Sequence, residues 1–178
     1  MAGLPGIGIR TAVDGDDRAL AVIDHATWSP QVHPLPLWPL DKPFFTEGAA
    51  PQNVLLAHQD DRILGYVKLR PCPIPAANGH VQEINGLAVA PAHQGRGIGR
   101  LLLDAARQLA IERRARRITL RVLGTNTGAQ ALYLANGFHV EGRLVGQFLL
   151  EGRYVDDVFM AMEIAADLYG DAPSKPAR

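Results

Sequence analysis

The chain predicts an α+β domain: one mixed, mostly antiparallel central sheet flanked by helices. Three observations carry that prediction. The stretches with extended and helical patterning follow the order strand, helix, broken helix, two strands, strand, turn, helix, strand, helix, two strands. A glycine-rich turn, Gly95-Arg96-Gly97-Ile98-Gly99, stands between a central apolar strand and a long helix. The connection across that helix is long enough to make its two strands parallel, while short turns elsewhere demand antiparallel neighbours.

In order, Ile7 to Val13 reads as a first strand, and Asp14-Gly15-Asp16-Asp17 offers an N-cap to a helix carrying Leu20, Val22, Ile23 and Ala26. From Trp28 to Trp38 and on to Pro39 four prolines forbid a continuous helix. This loop, with His33 between its two tryptophans, is of a kind that covers a core or shapes a binding site. Asn53 to Gln59 and Arg62 to Leu69 form a hairpin around Gln59-Asp60-Asp61, with Gly65 marking a bulge. Pro71 to Gly79 is an exposed loop.

His80 to Val89 is the strand that feeds the glycine turn, and Gly86 interrupts it with an expected bulge where the sheet can open for a ligand. The long helix starts at Ile98 with Leu101, Leu102, Ala105, Ala106, Leu109 and Ala110 at helical spacing, and ends near Ile111 to Arg117. Its clustered arginines, Arg113, Arg114, Arg116 and Arg117, read as a solvated face that complements the negative helix end. Ile118 to Leu123 is a strand, Gly124-Thr125-Asn126-Thr127 caps another helix, and Asn136-Gly137 stops it. Phe138 to Leu144 and Tyr154 to Ile164 close the sheet as a hairpin. Residues 1–168 are expected to form the single domain and residues 169–178, with two prolines, a disordered tail.

Composition excludes several function classes. Eighteen basic and eighteen acidic side chains cancel, so no global field points to nucleic acid or an anionic membrane surface. A single cysteine, Cys72, excludes an internal disulfide or a cysteine-rich zinc site, and the six histidines show no metal-ligand spacing, so no metal is expected. No apolar run approaches the ~18 residues of a membrane helix, and the N-terminus lacks the basic start and apolar core of a signal peptide, so a cytoplasmic location is expected.

The glycine turn therefore carries the functional signal. Without Cβ atoms, its residues can take positive φ and let a ligand approach the main chain. At a helix N-terminus the N–H groups have no intrahelical partner and the dipole adds positive charge, which suits phosphate. A Walker loop is excluded because Gly99 is followed by Arg100 and Leu101, and the Gly-x-Gly-x-Gly spacing is a poor match to a Rossmann fingerprint.

Val89-Ala90-Pro91 followed by Gln94-Gly95-Arg96-Gly97-Ile98-Gly99 resembles motif A of the GNAT family, the Gcn5-related N-acetyltransferases. Asn126-Thr127-Gly128-Ala129-Gln130-Ala131-Leu132-Tyr133, ending in Asn136-Gly137-Phe138, is similar to motif B of the same family. The order of elements matches along nearly the whole chain. The resemblance implies acetyl-CoA as acyl donor, its pyrophosphate held by main-chain N–H groups of Gln94, Gly95, Arg96, Gly97, Ile98 and Gly99, with Arg96 or Arg100 in support. It also implies that Leu87, Ala88 and Val89 pair with the pantetheine arm like an added strand, one N–H polarising the thioester carbonyl.

Asn126, Gln130 and Tyr133 share one helix face, which would meet the cofactor. Tyr133, at the family's tyrosine position, is the candidate general acid for the leaving thiolate. Glu83 matches a glutamate that serves as general base in some members. Asp156 and Asp157 compete for that role or for the substrate ammonium, since successive strand residues face opposite ways. Trp28, His33 and Trp38 are the candidate acceptor-binding residues, and Glu151 and Arg153 sit at the turn of the last hairpin. The implied reaction is direct acetyl transfer to a primary amine of a small molecule or amino acid. Protein N-termini or lysines, or a non-catalytic acyl-CoA sensor, are the alternatives, and a homodimer is left open.

Overall fold

The computed structural model describes residues 4–46, 49–72 and 78–164. The expected tail, and part of the loop after Pro71, lie outside these residues. Seven strands form one sheet in the order β1-β2-β3-β4-β5-β7-β6. They are β1 (Gly8–Thr11), β2 (Val54–Gln59), β3 (Arg62–Pro71), β4 (Val81–Val89), β5 (Arg117–Leu123), β6 (His139–Leu150) and β7 (Arg153–Glu163). Among the described residues only β4 and β5 run parallel, because they are joined by a long helical crossover, α2 (Ile98–Glu112). Helix α1 (Asp17–Thr27) and helix α3 (Thr127–Ala135) complete the domain, giving the architecture that the sequence predicts.

Strand alternation divides the core between the two faces of the sheet. On one face Leu55, Ala57, Val67 and Leu69 pack with Ile98, Leu102, Ala106 and Ala110 of α2 and with Tyr133 of α3. On the other, Val54, Leu56 and Tyr66 pack with Leu20, Ala21 and Ile23 of α1 and with Phe44. The helices are amphipathic because each covers one such face.

Both expected bulges are present. Between β2 and β3 the register moves from Ala57↔Gly65 to His58↔Ile63, leaving Leu64 as the extra residue. Between β3 and β4 it moves from Lys68↔Gly86 to Leu69↔Ile84, leaving Asn85 extra. A Cβ on Gly65 would lie 2.6 Å from the Ala88 carbonyl oxygen, so this glycine lets β4 approach β3 closely.

Three local expectations are corrected. The acidic run before α1 does not cap it. Asp16 instead receives both guanidinium nitrogens of Arg10 (2.7 Å each) and the Val13 N–H (2.8 Å), while Asp17 accepts from Phe45 N–H (2.9 Å). The arginines at the end of α2 are not simply a solvated face. Arg113 donates to the carbonyls of Leu69 (2.9 Å) and Gln52 (2.8 Å) and to the side-chain oxygens of Gln82 (3.1 Å) and Asn53 (3.0 Å). Arg117 pairs with Glu141 and Glu163. The last hairpin is longer than its apolar pattern suggests. β6 continues to Leu150 through an irregularity after Leu144, where Gly146 takes a φ of 62° and its N–H donates to Asp156 (2.9 Å). The turn is then made by Glu151 and Gly152, both with positive φ.

Candidate active site

Strands β4 and β5 pair only from Val81↔Arg117 to Ile84↔Leu120. Beyond that point the bulge at Asn85 and Gly86 turns β4 away, and the two strands separate. Ala90 N–H bonds to Leu64 O on the β3 side (2.8 Å), so alternation turns the main-chain groups of Leu87 and Val89 toward the gap. A continuous cleft of about 1120 Å³ occupies that gap.

One end of the cleft is the glycine turn. Gly95 and Gly97 take left-handed φ values of 73° and 82°, and a Cβ on Gly95 would meet no atom within 4 Å. That open side is the approach path the sequence predicts. The N–H groups of Gly95, Arg96, Gly97, Ile98, Gly99 and Arg100 meet no acceptor among the described residues, as befits the first turn of a helix. They form a row of donors that fits a pyrophosphate. Gly99 has a second use, because a Cβ there would come within 3.0 Å of Leu132, so it lets α3 pack against α2. Gln94 donates to Val89 O (3.0 Å), tying the turn to the end of β4.

Across the gap stands α3. Asn126 caps it, accepting from Ala129 N–H (3.1 Å). Tyr133 is buried against Phe138 with ring centroids 5.6 Å apart, and it is among the residues that line the cleft. Burial pushes its pKa up to about 12, since desolvation disfavours the phenolate. Gln130 is committed elsewhere on the same helix, donating to the carbonyls of Leu123 (3.0 Å) and Gly124 (3.1 Å) at the end of β5.

The other end of the cleft is roofed by the proline-rich loop. Trp28 Nε1 donates to Leu35 O (3.0 Å), the rings of His33 and Trp38 meet edge to face at 5.0 Å, and Thr125 Oγ1 donates to Gln31 O (2.9 Å). The last bond fastens the roof to the turn before α3. Burial holds the His33 imidazole below its usual pKa, favouring the neutral ring.

Charged side chains under this roof are mostly paired. Glu83 Oε2 is held by Arg70 Nε (3.0 Å) and Nη2 (2.9 Å). Asp157, only 2% exposed, is held by Arg121, whose guanidinium also lies over Phe159 (4.9 Å). The buried Tyr66 hydroxyl donates to Asp24, which with burial drives the Tyr66 pKa well upward.

Of the residues singled out in sequence, the cleft gathers Trp28, His33, Trp38, Glu83, Leu87, Ala88, Val89, Gln94, Gly95, Gly97, Ile98, Gly99, Arg100, Asn126, Tyr133 and Asp157. Arg96, Gln130 and Asp156 do not line it. Arg96 contacts His93 Nδ1 (3.0 Å) and Asp156 is paired with Arg143 (2.9 Å) on the opposite side of β7. The structure adds Asp24, Tyr66, Lys68, Arg70, Arg121 and Phe148 to the lining. The signal for Lys68 and Arg70 was a pair of charges two residues apart near the end of a largely apolar strand, which is one side of a pleated strand facing a polar space.

The comparisons with known proteins agree with this geometry. The family model described as the acetyltransferase (GNAT) family matches residues 19–138. A mycothiol acetyltransferase from Jonesia denitrificans is 32% identical over 130 residues, covering 70% of this chain and 40% of that protein. A spermidine N(1)-acetyltransferase from Vibrio cholerae is 38% identical over 71 residues, 39% of this chain and 41% of that protein. The matches thus span about two fifths of the length of these curated relatives. Among solved structures, the putative acetyltransferase yncA from Salmonella typhimurium, with its cofactor acetyl-CoA, superposes with a TM-score of 0.75 at 19% identity, covering 96% of this chain and 99% of that one; it attests the fold. With the family match running from α1 through the glycine turn and the whole of α3, this chain belongs to the acetyltransferase (GNAT) family.

Proposed function

We propose that this protein is an N-acetyltransferase that moves an acetyl group from acetyl-CoA, the family's acyl donor, directly to the primary amine of a small molecule or amino acid. The observation that carries the reading is the single cleft in which the uncommitted N–H row of Gly95 to Arg100, the open edge of Leu87 to Val89 and Tyr133 are continuous. Acetyl-CoA, when bound, supplies an activated thioester. The N–H row neutralises pyrophosphate, and the open edge of β4 offers strand pairing to an extended arm. A Leu87 or Val89 N–H directed at the thioester oxygen stabilises the charge that grows there.

Tyr133, protonated throughout the physiological range, donates a hydrogen bond to the departing sulfur. Its pKa of about 12 exceeds that of a free thiol, about 8.5, so the hydroxyl serves best as a donor that shares its proton during bond cleavage. Glu83 is the candidate acceptor of the amine proton, directly or through water. Its Oε2 is occupied by Arg70, which leaves Oε1 for that task. A small acceptor is favoured by the proline-rich loop, whose Trp28, His33 and Trp38 line the cleft and which the Thr125–Gln31 bond ties to the turn before α3.

The test is release of CoA thiol from acetyl-CoA by the purified protein with a broad panel of amines. Amine-dependent release is expected. Tight acetyl-CoA binding without thiol release for any amine would overturn the reading in favour of a non-catalytic acyl-CoA-binding domain.

A further inference from the structure

We propose that Lys68 is the acceptor's anion-binding residue, so that the amine acetylated here carries a carboxylate or a comparable anionic group close to its nitrogen. This rests on the acetyltransferase reading and narrows its substrate class. Three cations face the acceptor end of the cleft: Lys68, Arg70 and Arg121. Arg70 is neutralised by Glu83 and Arg121 by Asp157. The remaining carboxylate there, Asp24, accepts from the neutral Tyr66 hydroxyl and attracts the Lys68 ammonium without a contact ion pair among the described residues. Lys68 alone of the three forms no ion pair or hydrogen bond among the described residues.

Its surroundings hold the side chain without occupying its N–H donors. The Lys68 ammonium lies over the rings of Phe44 (4.9 Å) and Tyr66 (5.5 Å). Its stem crosses Gly86, where a Cβ would fall 2.4 Å from Lys68 Cε. Aromatic faces stabilise a cation but leave its N–H donors available. Burial correspondingly lowers the Lys68 pKa, opposed by the attraction of Asp24. Asp24 balances the ammonium without a contact ion pair among the described residues, so the Lys68 N–H donors remain available for a charge-assisted bond to a ligand anion.

The position of Lys68 also limits the acceptor. It is paired with Gly86, the residue immediately before the open edge Leu87 to Val89. One to three strand residues, roughly 3–10 Å, therefore separate the ammonium from the edge where the thioester would lie. An anion and an amine a few bonds apart, as in an amino acid, span that gap.

The experiment uses the full chain and compares each of a set of L-amino acids with its own amide, which differs in the carboxylate. Rates are corrected for the fraction of free amine. Thermal shifts of the CoA-loaded protein are recorded with the same pairs. The acids are expected to exceed the amides in kcat/KM by about tenfold or more, the size of a charge-assisted hydrogen bond. Lys68→Met brings the acid-to-amide ratio to about one, and Lys68→Arg restores a preference. Equal use of acids and amides by the native protein, or an unchanged ratio in Lys68→Met and Lys68→Gln, overturns the assignment. If no amine is acetylated, the acetyltransferase reading fails by itself. Lys68 is then judged on binding: a larger shift with acids than amides, lost in Lys68→Met, upholds the anion site, and equal shifts overturn it.

Discussion

At the scale of single residues, Tyr133 holds the most specific assignment. It is both a core aromatic, 7% exposed, and a residue of the cleft lining. Tyr133→Phe keeps the ring packed on Phe138 and removes only the donor. Turnover should fall by about 10² while CoA affinity stays nearly constant, measured by steady-state kinetics and calorimetry. Unchanged turnover would remove Tyr133 from the chemistry. Because the folded pKa of Tyr133 is raised to about 12, its proton is present at all lower pH, so it should contribute no alkaline limb to the rate profile below about pH 11. The helix pattern revealed that Asn126, Gln130 and Tyr133 share a face, but not which atoms on that face were already spoken for. Gln130 serves the two carbonyls at the end of β5, a commitment made by a strand distant from helix spacing.

At the scale of elements, the glycines of the strands govern the opening of the site. Gly65 sits beside the Leu64 bulge in β3, and a Cβ there would press on Ala88 O at 2.6 Å and Val89 Cα at 3.0 Å, both backbone atoms. Gly65→Ala must therefore move β4 at the very stretch whose far edge is open. The expected cost is about 1–3 kcal/mol of stability in urea titration, accompanied by weaker CoA binding. Loss of stability with unchanged binding would show that the edge of β4 is not used. Both bulges were legible, since a glycine inside an extended apolar run has few other uses. Where β6 ends was not. Its exposed positions include Val140, Leu144, Val145 and Leu149, so the apolar alternation that marks a half-buried strand is blurred.

At the scale of the whole molecule, Arg113 fastens the end of α2 to three other elements. It reaches β3 through Leu69 O, β4 through the buried Gln82, and the turn before β2 through Gln52 and Asn53. Arg113→Met should cost about 2–3 kcal/mol, because Gln82 loses its charged donor in the interior; chemical denaturation would measure it. A cost near zero would return Arg113 to the solvated face that charge patterning suggests.

The sequence by itself determined the order of elements, the sheet class, the glycine turn and the face of α3, and through them the donor half of the proposed site. All of these are local: helix and strand periods, caps and positive-φ positions are written within a few residues of where they act. Only the tertiary structure decided the acceptor half. The pairing of Arg70 with Glu83 joins β3 to β4, that of Arg121 with Asp157 joins β5 to β7, and the roof bond joins residues 31 and 125. That Lys68 has no contact ion pair among the described residues emerges only after those partners are matched, because pairing across strands depends on register and bulges, which no single stretch of the chain contains.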